Sequence, residues 1–189
     1  MEIFSDGVLA VLITIMALEL KVPEVVGNFQ RDVLIHLLPK IASYAVAFAF
    51  VGVSWMHHLS ALRDARKATI KLFWLNLLFL FCASLIPFTT AFLGEHPNLP
   101  FAVSMWATAA GLTAFTGQLV YNEAHSERPY DRWIRRQNFC SVVAAFACAI
   151  TAFLSVYLAW LFVFVGFSIS VLPSQIAKRI FSRKRDLAS

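Results

Sequence analysis

The chain has 189 residues, of which 59% are hydrophobic and only 14% charged, and its net charge is +5. A soluble domain of this size needs a polar surface that such a composition does not supply, so the outer surface is expected to face lipid. The basic residues stand in blocks between apolar runs, which is the arrangement of membrane topology signals and not of a nucleic-acid-binding face; no nucleic-acid partner is expected.

The first apolar run covers residues 4–22 and closes at Pro23. It has neither the basic leader nor the small-residue cleavage site of a signal peptide. At 100° per residue, Val11, Ile15 and Leu18 share one face, with Phe4 near the same line. Asp6 points away from that face. Two readings of Ser5 and Asp6 stand side by side: a cap on the free N–H groups of the first turn, or a polar network behind a pore-lining stripe. Thr14 lies at the edge of the stripe, within reach of a backbone carbonyl or a neighbouring helix. Glu19 either wets an outer mouth or reaches to the interface.

Residues 29–38, FQRDVLIHLL, read as a short interfacial helix, followed by a second span over 39–59 that Pro39 enters near its first turn. The third span is 72–92. The fourth, 101–121, follows the break GEHPNLP at 94–100. The apolar stretch 138–173 is too long for one crossing and predicts two helices with a turn near 154–157. Six spans result, and a β-barrel is excluded because its strands alternate over about 10 residues. Thirteen of the sixteen Lys and Arg residues fall in 60–71, 122–136 and the tail; Lys21, Arg31 and Lys40 are the other three. That bias predicts cytoplasmic termini. Residues 1–177 are read as the transmembrane domain and 178–189 as a short basic tail.

Ionisable groups inside such spans are costly unless paired or hydrated. Asp6, His57, His58 and Asn76 fall at one depth, bracketed by Trp55 and Trp74. They form either a hydrogen-bonded clamp, with an Asp6–His58 pair at its centre, or a metal site, against which the lack of Cys or repeated His ligands argues. Cys82, Cys140 and Cys148 have no CxxC spacing and read as core thiols. Ser84, Thr89, Thr90, Ser104, Thr108, Thr113 and Thr116 are expected to bond to the backbone or join helices. The run YLAWLFVFVGF at 157–167 reads as a lipid-facing surface.

The motifs FSD at 4–6, G-V-x-A at 7–10, GVSWMHHL at 52–59, WLNLLFL at 74–80 and IPFTT at 86–90 occur together and in order. With them the chain resembles the bacterial members of the TMEM175 potassium channel family over at least its first three spans. The resemblance implies an all-α polytopic membrane protein of six helices per subunit, without a TVGYG filter loop. It implies a homotetramer in a bacterial inner membrane whose first helices line a central path. Val11, Ile15 and Leu18 then form hydrophobic constriction rings, Thr14 supports selectivity, and Ser5, Asp6, Trp55, His58 and Asn76 make a structural polar network. Potassium is the permeant ion; no enzyme activity, cofactor or metal is expected. The family's arginine stands four residues before Phe4, ahead of Met1: either the start lies upstream and includes it, or Asp6 lacks that cation. Valine at position 11, where larger residues are usual, predicts a wider neck. The rival reading is a proton-coupled or proton-permeable transporter using Asp6 and His58; a membrane scaffold is a third.

Overall fold

The structure, a computed structural model, describes residues 1–20, 29–63, 65, 69–125 and 129–171. All its regular elements are helices: α1 (Glu2–Leu18), α2 (Phe29–Arg63), α3 (Ile70–Ser84), α4 (Ile86–Glu95), α5 (Pro100–Ala124), α6 (Pro129–Thr151) and α7 (Val156–Val171). Two stretches, Leu37–Arg63 and Ile70–Glu95, are by length and apolarity able to cross a membrane on their own. The second comprises α3 and α4, which meet at Leu85. Pro87 lies in the first turn of α4 and has no N–H to continue the ladder of α3. Counted as one rod, α3 and α4 make the architecture six-helical.

Local chemistry sets most boundaries. The side chain of Thr69 accepts the backbone N–H of Leu72 at 3.0 Å and starts α3 two residues earlier than the apolar run suggests. Pro100 opens α5 at a position where its missing N–H costs nothing. The long C-terminal apolar stretch divides at residues 152–155, close to the expected turn. Two features differ from expectation. Residues 29–38 are not a separate interfacial helix but the first turns of α2, and Pro39 lies inside that helix instead of at its start. The basic segment 122–136 is itself largely helical, since α5 runs to Ala124 and α6 begins at Pro129. The tail from residue 172, with the proposed boundary at 177, lies outside the described residues.

The helices alternate in direction. Ion pairs tie their ends together: Arg63 to Glu2 at 2.7 Å and Lys71 to Glu123 at 2.6 Å at one end, Lys40 to Glu95 at 3.6 Å at the other. Each is partly exposed, so solvent screens it and it contributes little to stability. The core between them is apolar. α1 packs on α2, α3 and α4; α5 packs on α2, α3, α4 and α6; α7 lies chiefly on α6. Ala102, Ala107, Ala109 and Ala110 on α5 are buried and allow close helix approach. The hydroxyls of Ser84, Thr89, Thr108, Thr113 and Thr116 return to carbonyls of their own helices, as expected for such residues in apolar helices. Thr90 instead accepts the indole N–H of Trp106 at 3.1 Å, joining α4 to α5.

Among the described glycines, Gly94 makes the closest approach to a neighbouring helix. A Cβ there would stand 2.8 Å from Ser43 Oγ and 3.1 Å from the Cα of Lys40 on α2. Backbone cannot yield as a side-chain tip can. Gly94→Ala is therefore expected to cost about 1–3 kcal/mol by overpacking, read as a lower unfolding midpoint of the detergent-solubilised protein.

Candidate functional site

α1 has two faces of opposite character. Ser5, Leu9, Leu12 and Met16, spaced i, i+4, i+7 and i+11, are buried against α2, α3 and α4. The opposite face is open. Phe4, Val11, Ile15 and Leu18 are 57%, 54%, 39% and 76% exposed, and Gly7, Ala10, Thr14 and Ala17 lie beside them, also exposed. A single subunit thus leaves an apolar strip along the whole helix. The large residues are interleaved with small ones, so the helix surface between the side chains is low.

Thr14 Oγ1 donates to the carbonyl of Val11 at 2.7 Å. Its proton is thereby committed within the helix, and the hydroxyl oxygen keeps acceptor capacity on the exposed side. Glu19, the C-cap of α1, is exposed at the far end.

The polar anchor lies at the start of the helix. Ser5 is fully buried, and its Oγ stands 3.1 Å from both Asn76 Oδ1 on α3 and the carbonyl of Met1. One hydroxyl proton serves one of these acceptors at a time. Asn76 is 1% exposed, so Ser5 supplies a bond that water does not replace. Asp6 Oδ1 accepts the indole N–H of Trp55 from α2 at 2.7 Å, a short, charge-assisted bond. Behind it, His58 is buried and stacked on Phe79 of α3, with ring centroids 4.2 Å apart and planes 11° from parallel.

The five residues of the expected network therefore assemble at one level, as two bonded pairs and a stacked ring. The expected Asp6–His58 pair is not among them: Asp6 is engaged by Trp55. Asn76 and, at longer range, Asp6 act on the His58 ring, but no hydrogen bond of ordinary geometry reaches either ring nitrogen among the described residues. Nor does the metal alternative find support, since no three His, Cys, Asp or Glu among the described residues are grouped to hold an ion. At this end of α1 the Nε of Arg63 on α2 meets Glu2 at 2.7 Å. Sequence reasoning missed Glu2 and Arg63 as partners, although one opens the first helix and the other closes the second.

Three comparisons bear on what such an arrangement is. The family model described as endosomal/lysosomal potassium channel TMEM175 matches residues 1–87. The chain is 33% identical over 133 residues to a potassium channel of a Chryseobacterium species (strain P1-3), covering 68% of each protein. The chain belongs to the TMEM175 family. A Streptomyces collinus potassium channel is 36% identical over 99 residues, covering 50% of this chain and 47% of the relative. The backbone of this TMEM175 family member also superposes on the crystal structure of a lysosomal potassium-selective channel TMEM175 homologue from Chamaesiphon minutus. That match has a TM-score of 0.78 at 27% identity and covers 92% of this chain and 95% of the other. Residues 1–87 hold both halves of the anchor, Ser5 and Asp6 on one side, Trp55, His58 and Asn76 on the other. The family-matched segment is thus the part that holds α1 in place. It is a multi-pass membrane protein.

Proposed function

We propose that the chain is a passive potassium channel, built as a homotetramer in a bacterial inner membrane with both termini cytoplasmic and α1 of each subunit lining a shared axial path. The observation that carries this reading is the two-faced α1. Its inner face is locked to the bundle by Ser5, Leu9, Leu12 and Met16, while its open face presents Val11, Ile15 and Leu18 in register over residues 11–18. Four such strips facing one axis make three apolar rings. Rings of this kind close by dewetting, and they make an ion shed part of its water on passing. Thr14, with acceptor capacity on the open side, offers oxygen between the rings. Glu19 at the exit lends negative charge to the outer mouth. The Ser5–Asn76 and Asp6–Trp55 bonds hold the helix at a fixed depth and rotation, so that the rings stay in register. Conduction follows the electrochemical gradient and needs no cofactor and no covalent step. Residues 1–177 form the channel domain and 178–189 a basic cytoplasmic tail. The coverage of the solved homologue over nearly the full chain supports the subunit architecture on which this reading rests.

The test is potassium and sodium flux from liposomes holding the purified protein, with its mass in detergent measured beside it. Tetramer mass and potassium flux far above transporter turnover, without an imposed proton gradient, are expected. Flux strictly coupled to protons selects the transporter reading instead; a monomer without flux overturns the channel.

A further inference from the structure

A cavity of about 330 Å³ lies within the subunit, on the far side of the anchor from the open strip of α1. Helices α2, α5, α6 and α7 wall it, with Phe79 of α3 at one side, and no α1 residue lines it among the described residues. It is therefore separate from the proposed axial path. Its size falls at the lower end of small-molecule pockets, which run to about 300–1,000 Å³.

The walls divide into two parts. Ala49, Phe50, Ala110 and Phe162 represent the apolar majority. His58 and Gln118 belong to a polar patch, and both are more than nine-tenths buried. Gln118 Nε2 donates to Asn122 Oδ1 at 2.9 Å, yet its Oε1 has no hydrogen-bond partner among the described residues. The same holds for both ring nitrogens of His58. Both line the same cavity, and Phe79 links their levels: His58 stacks on it, and its edge lies 3.4 Å from a Cβ built at Gly117, the residue before Gln118. Buried polar atoms left so keep the full penalty of losing water. Native proteins rarely carry them without a use.

The atoms specify the complement. Gln118 Oε1 needs a donor. A neutral imidazole offers one donor and one acceptor. No Lys, Arg, Asp or Glu lines the cavity among the described residues, so a charged ligand would be buried without a counter-ion. A hydroxyl both donates and accepts without charge. The rest of the volume suits hydrocarbon. α2 and α7 both line the cavity but touch each other little, which leaves their seam as the way in from the bilayer.

We propose that this cavity binds a small, uncharged, membrane-soluble alcohol, with its hydroxyl at His58 and Gln118 and its hydrocarbon between α5 and α7. The bound head then lies next to His58, which stacks on Phe79 of α3, the helix whose Asn76 accepts from Ser5 of α1. Occupancy of the cavity thus touches the anchor of the first helix.

The experiment is photolabelling of the full chain in phosphatidylcholine liposomes with 3-azioctanol, followed by mass spectrometry of the labelled peptides. Saturable label on the cavity-facing residues of α5 and α7 is expected, displaced by octan-1-ol and not by octane. Gln118→Leu is expected to weaken that labelling about fivefold, the factor for one hydrogen bond of about 1 kcal/mol. Ala114→Leu, which fills space beside the patch, is expected to reduce it as well. Unsaturable label spread over the exposed residues Tyr157, Leu158 and Leu161, which do not line the cavity, overturns the site, as does equal displacement by octane. Labelling unchanged in Gln118→Leu overturns the role of the polar patch and points to water as its complement. Should either variant fail to fold, the octanol-against-octane contrast on the unmodified chain decides alone. None of these readouts requires ion conduction, so a negative result leaves the channel reading standing.

Discussion

Replacing Ile15 with serine is expected to raise potassium flux through the reconstituted protein at least about tenfold, since a barrier lowered by only about 1.4 kcal/mol gives that factor. In the tetrameric reading one substitution changes four side chains of a single ring, each from hydrocarbon to hydroxyl. Water then wets the neck more readily, and a permeating ion meets oxygen where it met none. Val11→Ala acts on the neighbouring ring in the same direction but more weakly, because it only widens the ring and leaves it apolar. Folding is a poor alternative explanation for either effect: both residues stand on the open face of α1 and contribute little to the subunit core. The control is Leu158→Ser on α7, an equally apolar and exposed site on a helix far from α1. If Ile15 merely faces lipid, the two serine variants behave alike and neither changes flux. A tenfold separation between them assigns the strip of α1 to a water-filled path. Unchanged flux in Ile15→Ser removes the ring from the mechanism.

The stripe on α1 was legible in the sequence because one helix face needs only residue spacing. The same holds for the six spans, whose apolar runs are long and whose basic interruptions are sharp. What the sequence concealed depended on competition between local signals. Pro39 looked like a helix start because proline is favoured there, yet α2 runs through it from Phe29. Leu85 sits inside a continuous apolar run, so nothing in hydropathy marks the break between α3 and α4; Pro87 was the available signal. Partner choice was harder still. Span order alone places Asp6, His58 and Asn76 at similar depth, but which of them bond depends on helix rotation. The rotation gives Asp6 to Trp55 and Asn76 to Ser5, and turns His58 toward Phe79. Gln118 passed unnoticed in the fourth span, although an amide amid Ala, Thr and Gly in an apolar helix is itself a signal of a polar cavity.

That division of partners predicts where the stability of the α1 anchor resides. Ser5→Ala is expected to destabilise the solubilised subunit by about 1–3 kcal/mol, because Asn76 Oδ1 keeps its burial and loses its donor. Pairing the change with Asn76→Leu removes the orphaned acceptor too, and the double variant is expected to recover most of the loss, as apolar replacement of both partners of a buried bond often does. Asp6→Asn, by contrast, retains an oxygen for the Trp55 indole and is expected to shift stability by less than about 1 kcal/mol; that bond is partly exposed in the single subunit. Unfolding midpoints of the three variants in one detergent measure the comparison. Should Asp6→Asn prove the most damaging and Ser5→Ala neutral, the carboxylate is the anchor, and its negative charge rather than its hydrogen bond holds the helix. The ordering Ser5→Ala below the double variant below Asp6→Asn follows only if the buried Ser5–Asn76 contact fixes the depth of α1, which is also what keeps Val11, Ile15 and Leu18 level with their counterparts in the proposed tetramer.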